Sequence, residues 1–89
     1  MFIANEPSHI FEPRGNGKIR YLVIHYSGTK TVSEALQILQ GKKGDKKSAH
    51  YLIDERGNVM WLVDEAMKSF HTNKNSYWDE DKDLNKYSI

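Results

Sequence analysis

The pattern of apolar and polar residues predicts a buried strand in the first third of the chain. Residues 21–24 are an uninterrupted apolar run, rich in aromatic and β-branched side chains, which is typical of a strand at the centre of a sheet. His25 ends the run, and Ser27 and Gly28 then break the pattern. An imidazole at the mouth of a sheet can hold a metal ion or transfer a proton. A hydrogen-bonded structural histidine is the alternative interpretation.

A helix and a β-hairpin are predicted further along. Thr31 or Ser33 is a suitable cap for the helix, apolar residues then recur at spacings of three and four, and Gly41 ends it. Residues 49–54 and 59–63 carry alternating side chains and are separated by a turn that contains glycine. They are therefore expected to pair as antiparallel neighbours.

The remaining segments have weaker patterns. Residues 1–18 contain prolines and glycines and are predicted to be an irregular N-terminal segment, so that the domain proper spans residues 19–89. A short helical turn is expected over residues 64–68, and a long, functional loop over residues 70–83. Residues 84–89 look like the start of another strand. We therefore expect the chain to be the front part of a longer domain.

The order of these elements predicts an α/β fold, with a mixed sheet and flanking helices. The chain has 89 residues, enough for one domain. It contains no cysteine, which excludes disulfides and thiolate metal sites. Any metal would therefore be held by His, Asp, Glu and water.

Charge and hydropathy narrow the partners and the compartment. The net charge is +1, with both signs spread along the chain, so no nucleic acid or anionic membrane partner is expected. No apolar run approaches the roughly 20 residues of a membrane span. The first residues lack the basic and apolar regions of a signal peptide, and we expect a cytoplasmic protein.

Three histidines lie in or beside predicted elements, at positions 25, 50 and 71. Their spacing matches no compact zinc motif such as H-E-x-x-H. Each is therefore either a hydrogen-bonded structural residue or part of a site. Tyr77 and Trp78 lie in the long loop, where they either cap the core or form an aromatic wall for a sugar or a peptide.

Taken together, three segments resemble the zinc amidases that cut the N-acetylmuramoyl-L-alanine bond of peptidoglycan. That family includes anhydromuropeptide amidases, phage amidase lysozymes and peptidoglycan-recognition proteins. Its first strand is similar to residues 19–29, IRYLVIHYSGT, and its central hairpin is similar to residues 48–65, SAHYLIDERGNVMWLVDE. Its segment A-W-H-A-G…W…L-N…S-I-G-I-E is similar to residues 69–89. The resemblance implies the amidase and peptidoglycan-recognition fold, of which this chain is the N-terminal part.

The resemblance also implies a zinc ion, Zn2+, and places one of its ligands at His25. The family's other two ligands and its catalytic glutamate have no counterpart in these residues, so no catalytic residue is assigned within the chain. Ala49 stands where the phage and recognition-protein branches have a catalytic tyrosine, which favours the anhydromuropeptide branch. Thr72 and Asn73 replace the Ala-Gly pair that is usual in the substrate groove. The groove is expected to include His50, His71, Tyr77, Trp78 and Asn85.

The resulting hypothesis is a zinc-dependent amidase that hydrolyses the lactyl-amide bond between muramic acid and the stem peptide of muropeptides. Two alternatives stay open: a muropeptide-binding module without catalysis, and an inactive folded fragment. The open strand edge that we expect would pair with the rest of the domain or with another chain.

Overall fold

The computed structural model describes residues 3–72, 77–78 and 81–89, and it describes their side chains except those of Ile3, Tyr77, Trp78, Asp81 and Lys82. These residues form seven short strands, one α-helix and one 3₁₀ helix. The strands are β1 (Ile3–Asn5), β2 (Glu12–Pro13), β3 (Tyr51–Ile53), β4 (Val59–Trp61), β5 (Met67–Lys68), β6 (Tyr77–Trp78) and β7 (Asp81–Lys82). The helices are α1 (Val32–Leu39) and the 3₁₀ helix Leu84–Tyr87.

A three-stranded mixed sheet is built around β4, which pairs antiparallel with β3 and parallel with β1. In the β3–β4 hairpin, Tyr51 lies opposite Trp61. The Asp54 carboxylate holds the turn, because it accepts hydrogen bonds of 2.9 Å from the backbone N–H groups of Arg56 and Asn58. The predicted hairpin and the α/β class with a mixed sheet are therefore confirmed.

Helix α1 begins and ends as predicted. Thr31 is its N-cap, and the Thr31 hydroxyl accepts a hydrogen bond of 3.1 Å from the backbone N–H of Glu34. Gly41 follows the helix with a φ of +84°, which glycine adopts without strain. Ala35 faces the interior and is 3% exposed. Of the helices that the structure describes, none is long and apolar enough to cross a membrane.

Residues 1–18 are more regular than the sequence predicts. They contain β1, at one edge of the mixed sheet, and β2, which pairs antiparallel with β5. Ile3 lies opposite Val59 and Glu12 lies opposite Lys68, so each partner is 56 positions further along the chain. Strands of two or three residues are too short to show an alternation in the sequence. The prediction of an irregular segment was wrong for these two strands.

The helical turn predicted over residues 64–68 is instead a hydrogen-bonded turn followed by a strand. The Asp64 carboxylate accepts a hydrogen bond of 2.9 Å from the N–H of Ala66, and the Asp64 carbonyl accepts one of 2.9 Å from the N–H of Met67. Met67 and Lys68 then form β5. The aspartate side chain competes with helix formation here, because it satisfies a backbone N–H locally.

The apolar run at residues 21–24 is extended, but it is not the buried central strand that its composition predicts. Among the described residues, it forms a parallel bridge between Tyr21 and Ser88. The N–H of Tyr21 donates to the Tyr87 carbonyl at 3.1 Å, and the N–H of Val23 donates to the Ile89 carbonyl at 2.8 Å.

The other face of this run is open. Leu22 and Ile24 are 71% and 87% exposed, because no described element covers them. Apolar composition does not bury a strand that lacks a covering layer.

The strand predicted over residues 84–89 is replaced at its start by the 3₁₀ helix, after which Ser88 pairs with Tyr21.

The interior is small and largely polar. Its fully buried apolar side chains, among the described residues, are Ala35, Leu62 and Val63. Its buried polar residues are Ser8, Arg14, Gln40, Ser48, His50, Ser69, Asn85 and Ser88. Every buried side-chain nitrogen and oxygen in the described part of the chain has a hydrogen-bond partner. A fully satisfied network of this kind fixes the positions of its members.

Candidate active site

The fold brings three histidines together from separate segments. His25 follows the extended run, His50 precedes β3, and His71 follows β5. The ring centroids of His25 and His71 are 5.3 Å apart, and those of His50 and His71 are 6.1 Å apart. The histidines that the sequence singled out therefore form one group, which we call the histidine cluster.

His25 lies on the exposed side of the histidine cluster. Its Nε2 atom is 3.1 Å from Nδ1 of His71, and the two rings meet edge to face at 77°. The ring is not locked among apolar neighbours. His25 is therefore accessible to a metal ion or a substrate.

Ser88 determines where the His71 ring carries its proton. The Ser88 hydroxyl donates to the Leu84 carbonyl at 2.8 Å, so its one proton is already used. The same oxygen lies 2.9 Å from Nε2 of His71 and must accept a hydrogen bond from it. Nε2 therefore carries the proton, and Nδ1 presents a lone pair to His25.

The electrostatic surroundings keep His71 neutral. Burial lowers the pKa of His71 to about 4, and the positive charge of Arg14, like a proton on either neighbouring histidine, acts in the same direction. Near pH 7 the ring is therefore uncharged, and its Nδ1 atom is a hydrogen-bond acceptor.

His50 is the buried member of the histidine cluster and is 2% exposed. Nε2 of His50 is 2.8 Å from the Met67 carbonyl, and Nδ1 is 3.2 Å from Oγ of Ser69. A ring protonated at Nε2 alone satisfies both contacts, and the 3.1 Å approach of Nη2 of Arg14 to the same Nε2 atom is then a polar contact and not a hydrogen bond. Burial lowers the pKa of His50, which favours this neutral form. His50 is covered in this structure, where its ring packs edge to face against that of His71. A contact between His50 and substrate stays a prediction.

Asn85 holds the backbone of the loop that carries His71. Its Oδ1 atom accepts hydrogen bonds from the N–H of His71 at 3.2 Å, the N–H of Thr72 at 2.8 Å and the Thr72 hydroxyl at 2.7 Å. Asn85 is 2% exposed, so its amide is not presented to a ligand. In this structure Asn85 fixes the loop, and its predicted contact with substrate stays a prediction.

The two aromatic residues predicted for the groove, Tyr77 and Trp78, form β6, which pairs with β7. Their side chains lie outside what the structure describes, as does the whole of Asn73. The aromatic wall therefore stays a prediction. The described run that leads to His25 borders an apolar groove of about 360 Å³, which is lined by Tyr21, Leu22, Val23, Ile24 and Leu84.

Sequence patterns did not identify Arg14, whose guanidinium lies beneath the cluster and is 5% exposed. Its Nη2 atom is 3.1 Å from Nε2 of His50. Burial lowers the pKa of Arg14, while the negative charge of Glu65 opposes that shift. A single arginine between Pro13 and Gly15 has no periodicity that would mark it as buried, and the motifs identified in the sequence begin after it.

The donor atoms of the histidine cluster fit zinc in part. Imidazole nitrogen is a preferred zinc ligand, and the exposed ring of His25 supplies one. Within residues 3–72, 77–78 and 81–89, no group of three or more His, Asp or Glu side chains is placed to hold a metal ion. The described residues therefore provide part of a ligand set.

A model of the N-acetylmuramoyl-L-alanine amidase family matches residues 15–89, which include the whole histidine cluster. No curated protein and no solved structure matches the chain. The matched region begins one residue after Arg14.

Proposed function

Since the chain belongs to the N-acetylmuramoyl-L-alanine amidase family, we propose that it hydrolyses the lactyl-amide bond between muramic acid and the stem peptide of muropeptides. Members of the family act on peptidoglycan and are generally zinc-dependent. The observation that supports the proposal most is the exposed approach of 3.1 Å between Nε2 of His25 and Nδ1 of His71. Two imidazole nitrogens meet there at one point of the surface, which suits both a metal and a polar substrate.

His25 would hold the zinc ion in this proposal. When bound, zinc lowers the pKa of a water molecule to about 7 and polarises a carbonyl group. Amide hydrolysis needs both, because the amide carbon is a poor electrophile and its oxygen gains negative charge. The proposal assigns no further ligand and no general base, because the described residues contain no complete ligand set.

His71 would position the substrate beside His25. Its Nδ1 lone pair is held toward His25 by the contact between Nε2 and Ser88. It would accept a hydrogen bond from an amide N–H of the stem peptide where that N–H takes the place of His25 as the donor. With a pKa of about 4, the ring is too weak a base to remove a proton efficiently near pH 7. Positioning therefore suits His71 better than proton transfer.

Tyr77 and Trp78 would extend the site as an aromatic surface against which a sugar ring packs. An apolar groove of about 360 Å³ also lies beside the run that leads to His25. Residues 15–89 carry the family match, so all of these groups fall inside it.

Zinc retention by the His25→Ala variant tests the proposal, with His9→Ala as the matched control. His9 is an exposed histidine between β1 and β2, so its loss should leave zinc binding unchanged. The zinc dissociation constant of His25→Ala, measured by titration calorimetry, should rise by more than about 100-fold, the upper end of the loss typical when only a residue that hydrogen-bonds to a metal ligand is removed. Muropeptide hydrolysis should fall to background. Equal zinc affinity in the two variants would end the assignment of His25.

A second candidate function is a muropeptide-binding module without catalysis, and the incomplete ligand set of the described residues favours it. Calorimetric titration with a muropeptide, with and without a chelator, separates the two functions. Binding that a chelator does not change, without hydrolysis, supports the binding module. Hydrolysis that a chelator abolishes supports the amidase. Pairing with the rest of the domain or with another chain, and a cytoplasmic location, stay predictions from the sequence.

A further inference from the structure

Arg14 makes five polar contacts beneath the histidine cluster, and four of them are hydrogen bonds to backbone carbonyls. The contacts are Nε with the Glu65 carbonyl (2.8 Å), Nη1 with the carbonyls of Asn85 (3.2 Å) and Lys86 (2.9 Å), and Nη2 with the Ser88 carbonyl (2.9 Å) and Nε2 of His50 (3.1 Å). We call this set of contacts the Arg14 clasp.

The Arg14 clasp joins two segments that are distant in sequence. Glu65 lies between β4 and β5, whereas residues 85–88 belong to the 3₁₀ helix and the residue after it. Arg14 is 5% exposed, and no carboxylate among the described residues forms a salt bridge with it. A buried cation in this situation is solvated by carbonyl dipoles, so the planar guanidinium fixes where those carbonyls lie.

The segment that Arg14 holds controls His71 from two sides. The Ser88 carbonyl accepts from Nη2 of Arg14 at 2.9 Å, while the Ser88 hydroxyl accepts from Nε2 of His71. The Asn85 carbonyl accepts from Nη1 of Arg14, while the Asn85 side chain accepts from the backbone N–H of His71. Both the ring and the backbone of His71 are thus held by residues of the Arg14 clasp.

The same segment also holds the run that leads to His25. The N–H of Val23 donates to the Ile89 carbonyl at 2.8 Å, directly after the part of the chain that Arg14 binds. A displacement of residues 85–88 would therefore move both His25 and His71.

We infer that Arg14 is a positioning residue of this site: it holds Ser88 so that His71 keeps its proton on Nε2 and presents Nδ1 to His25. Its importance for hydrolysis rests on the proposed function, whereas the position of the proton is a property of the metal-free protein. Lysine cannot substitute, because an ammonium group is one compact donor centre and cannot span Glu65 and Ser88 as the guanidinium fork does.

The test compares the wild type with Arg14→Lys by NMR of the imidazole nitrogens, near neutral pH and without metal. In the wild type, His71 should show one neutral tautomer, protonated at Nε2. Arg14→Lys should show a mixture of the two neutral tautomers, and its zinc affinity should fall about 10-fold or more. An Arg14→Lys spectrum that keeps the wild-type tautomer would overturn the inference.

Two control variants separate positioning from a general loss of stability. Arg56→Lys makes the same substitution at an exposed arginine in the β3–β4 turn. Ala35→Gly weakens α1 without touching the Arg14 clasp. Both should keep the wild-type tautomer of His71. A mixture of tautomers in Ala35→Gly would show that any destabilisation releases the ring, and the inference would fail.

Ser88→Ala tests the contact between the Ser88 hydroxyl and His71 by itself. A second measurement, on the wild type, does not depend on whether an Arg14 variant folds. Ser88→Ala should release the His71 tautomer while the carbonyl contacts of Arg14 remain. In the wild type, the guanidinium protons of Arg14 should exchange slowly with solvent. Retention of the tautomer in Ser88→Ala, or rapid exchange of those protons, would refute the role of the clasp.

The outcomes separate this inference from the proposed function. A released tautomer in Arg14→Lys supports the inference even where the wild type cleaves no muropeptide. Cleavage by the wild type, together with an unchanged tautomer in Arg14→Lys, supports the amidase and overturns the inference.

Discussion

His71 is the residue whose chemistry depends most on its neighbours. Its ring lies between Ser88 and His25, and burial lowers its pKa to about 4. In the unfolded chain an imidazole titrates near its ordinary pKa of 6.5. Between those two values the unfolded state binds a proton and the folded state does not, so acidification favours unfolding.

We predict that His71 stabilises the metal-free protein fully above pH 6.5, and that this contribution is lost progressively as the pH falls toward about 4. The loss should be on the order of 2 kcal/mol, because solvent screens a ring that is only half-buried. Urea unfolding near pH 7 and near pH 4.5 measures it. His71→Gln cannot take up this proton, so it should lose less stability on acidification. An identical loss in both proteins would contradict the prediction.

At the level of single residues, the sequence identifies the histidines that meet at the site better than the buried residues that hold them in place. His25 and His71 stand in segments that resemble family motifs, so their grouping could be anticipated. The burial of His50 and Asn85 could not, because each depends on partners elsewhere in the fold: Met67 and Ser69 for the first, the His71 loop for the second. Arg14 is further removed still, since its carbonyl partners lie 51 to 74 positions away.

Among the elements, those closed by local contacts were predictable. Helix α1 begins at the cap Thr31, whose hydroxyl accepts a hydrogen bond from the N–H of Glu34, and it ends before Gly41. The carboxylate of Asp54 fixes the turn of the β3–β4 hairpin. Strands β1, β2 and β5 are two or three residues long and are defined by partners far along the chain. Their formation depends on tertiary pairing, which periodicity does not report.

The sequence left the cap of α1 open between Thr31 and Ser33, and the structure selects Thr31. Thr31→Ala should therefore lower the free energy of unfolding by about 1 kcal/mol, because the N–H of Glu34 loses its acceptor. Ser33→Ala is the matched control and should change stability by less than about 0.5 kcal/mol. Urea denaturation followed by circular dichroism compares the two variants. A greater loss of unfolding free energy in Ser33→Ala than in Thr31→Ala would show that Thr31 is not the cap.

Two glycines after α1 share a positive φ but differ in their surroundings. Gly41 has a φ of +84° and an added Cβ would lie 2.8 Å from Cγ1 of Ile10, whereas Gly44 has a φ of +85° and nothing within 4 Å. Gly44→Ala should cost about 1 kcal/mol through the backbone alone. Gly41→Ala should cost about 1–3 kcal/mol more, because the helix end must move away from Ile10. Equal thermal stabilities of the two variants would mean that this contact does not form.

At the scale of the whole molecule, the described residues leave one apolar face exposed. Leu22, Ile24 and Tyr26 lie on the same side of the extended run and are 71%, 87% and 90% exposed. Within the described part of the chain, the run pairs with residues 87–89 on one side, and the other edge of residues 22–24 can act as a template for a further strand. The exposure of this run could not be predicted from its composition, which is typical of a buried strand; it is evident only from the position of the run in the fold.

We predict that the protein associates with itself through this run at raised concentration. Light scattering should show a mass that increases with concentration for the wild type. Ile24→Lys should stay monomeric, because a charge on an exposed edge opposes strand pairing. The matched control is Ile53→Lys, which places the same charge on an exposed isoleucine of β3. A wild type that stays monomeric at every concentration would rule out this edge as an interface.

The family assignment and the histidine cluster both support one central proposal: the site at His25 hydrolyses the lactyl-amide bond of a muropeptide. Mass spectrometry of a muropeptide incubated with the zinc-supplied protein measures this most directly. We predict free stem peptide with the wild type and with His9→Ala, and intact muropeptide with His25→Ala. Intact muropeptide with the wild type, or the same yield of stem peptide from His25→Ala, would contradict it.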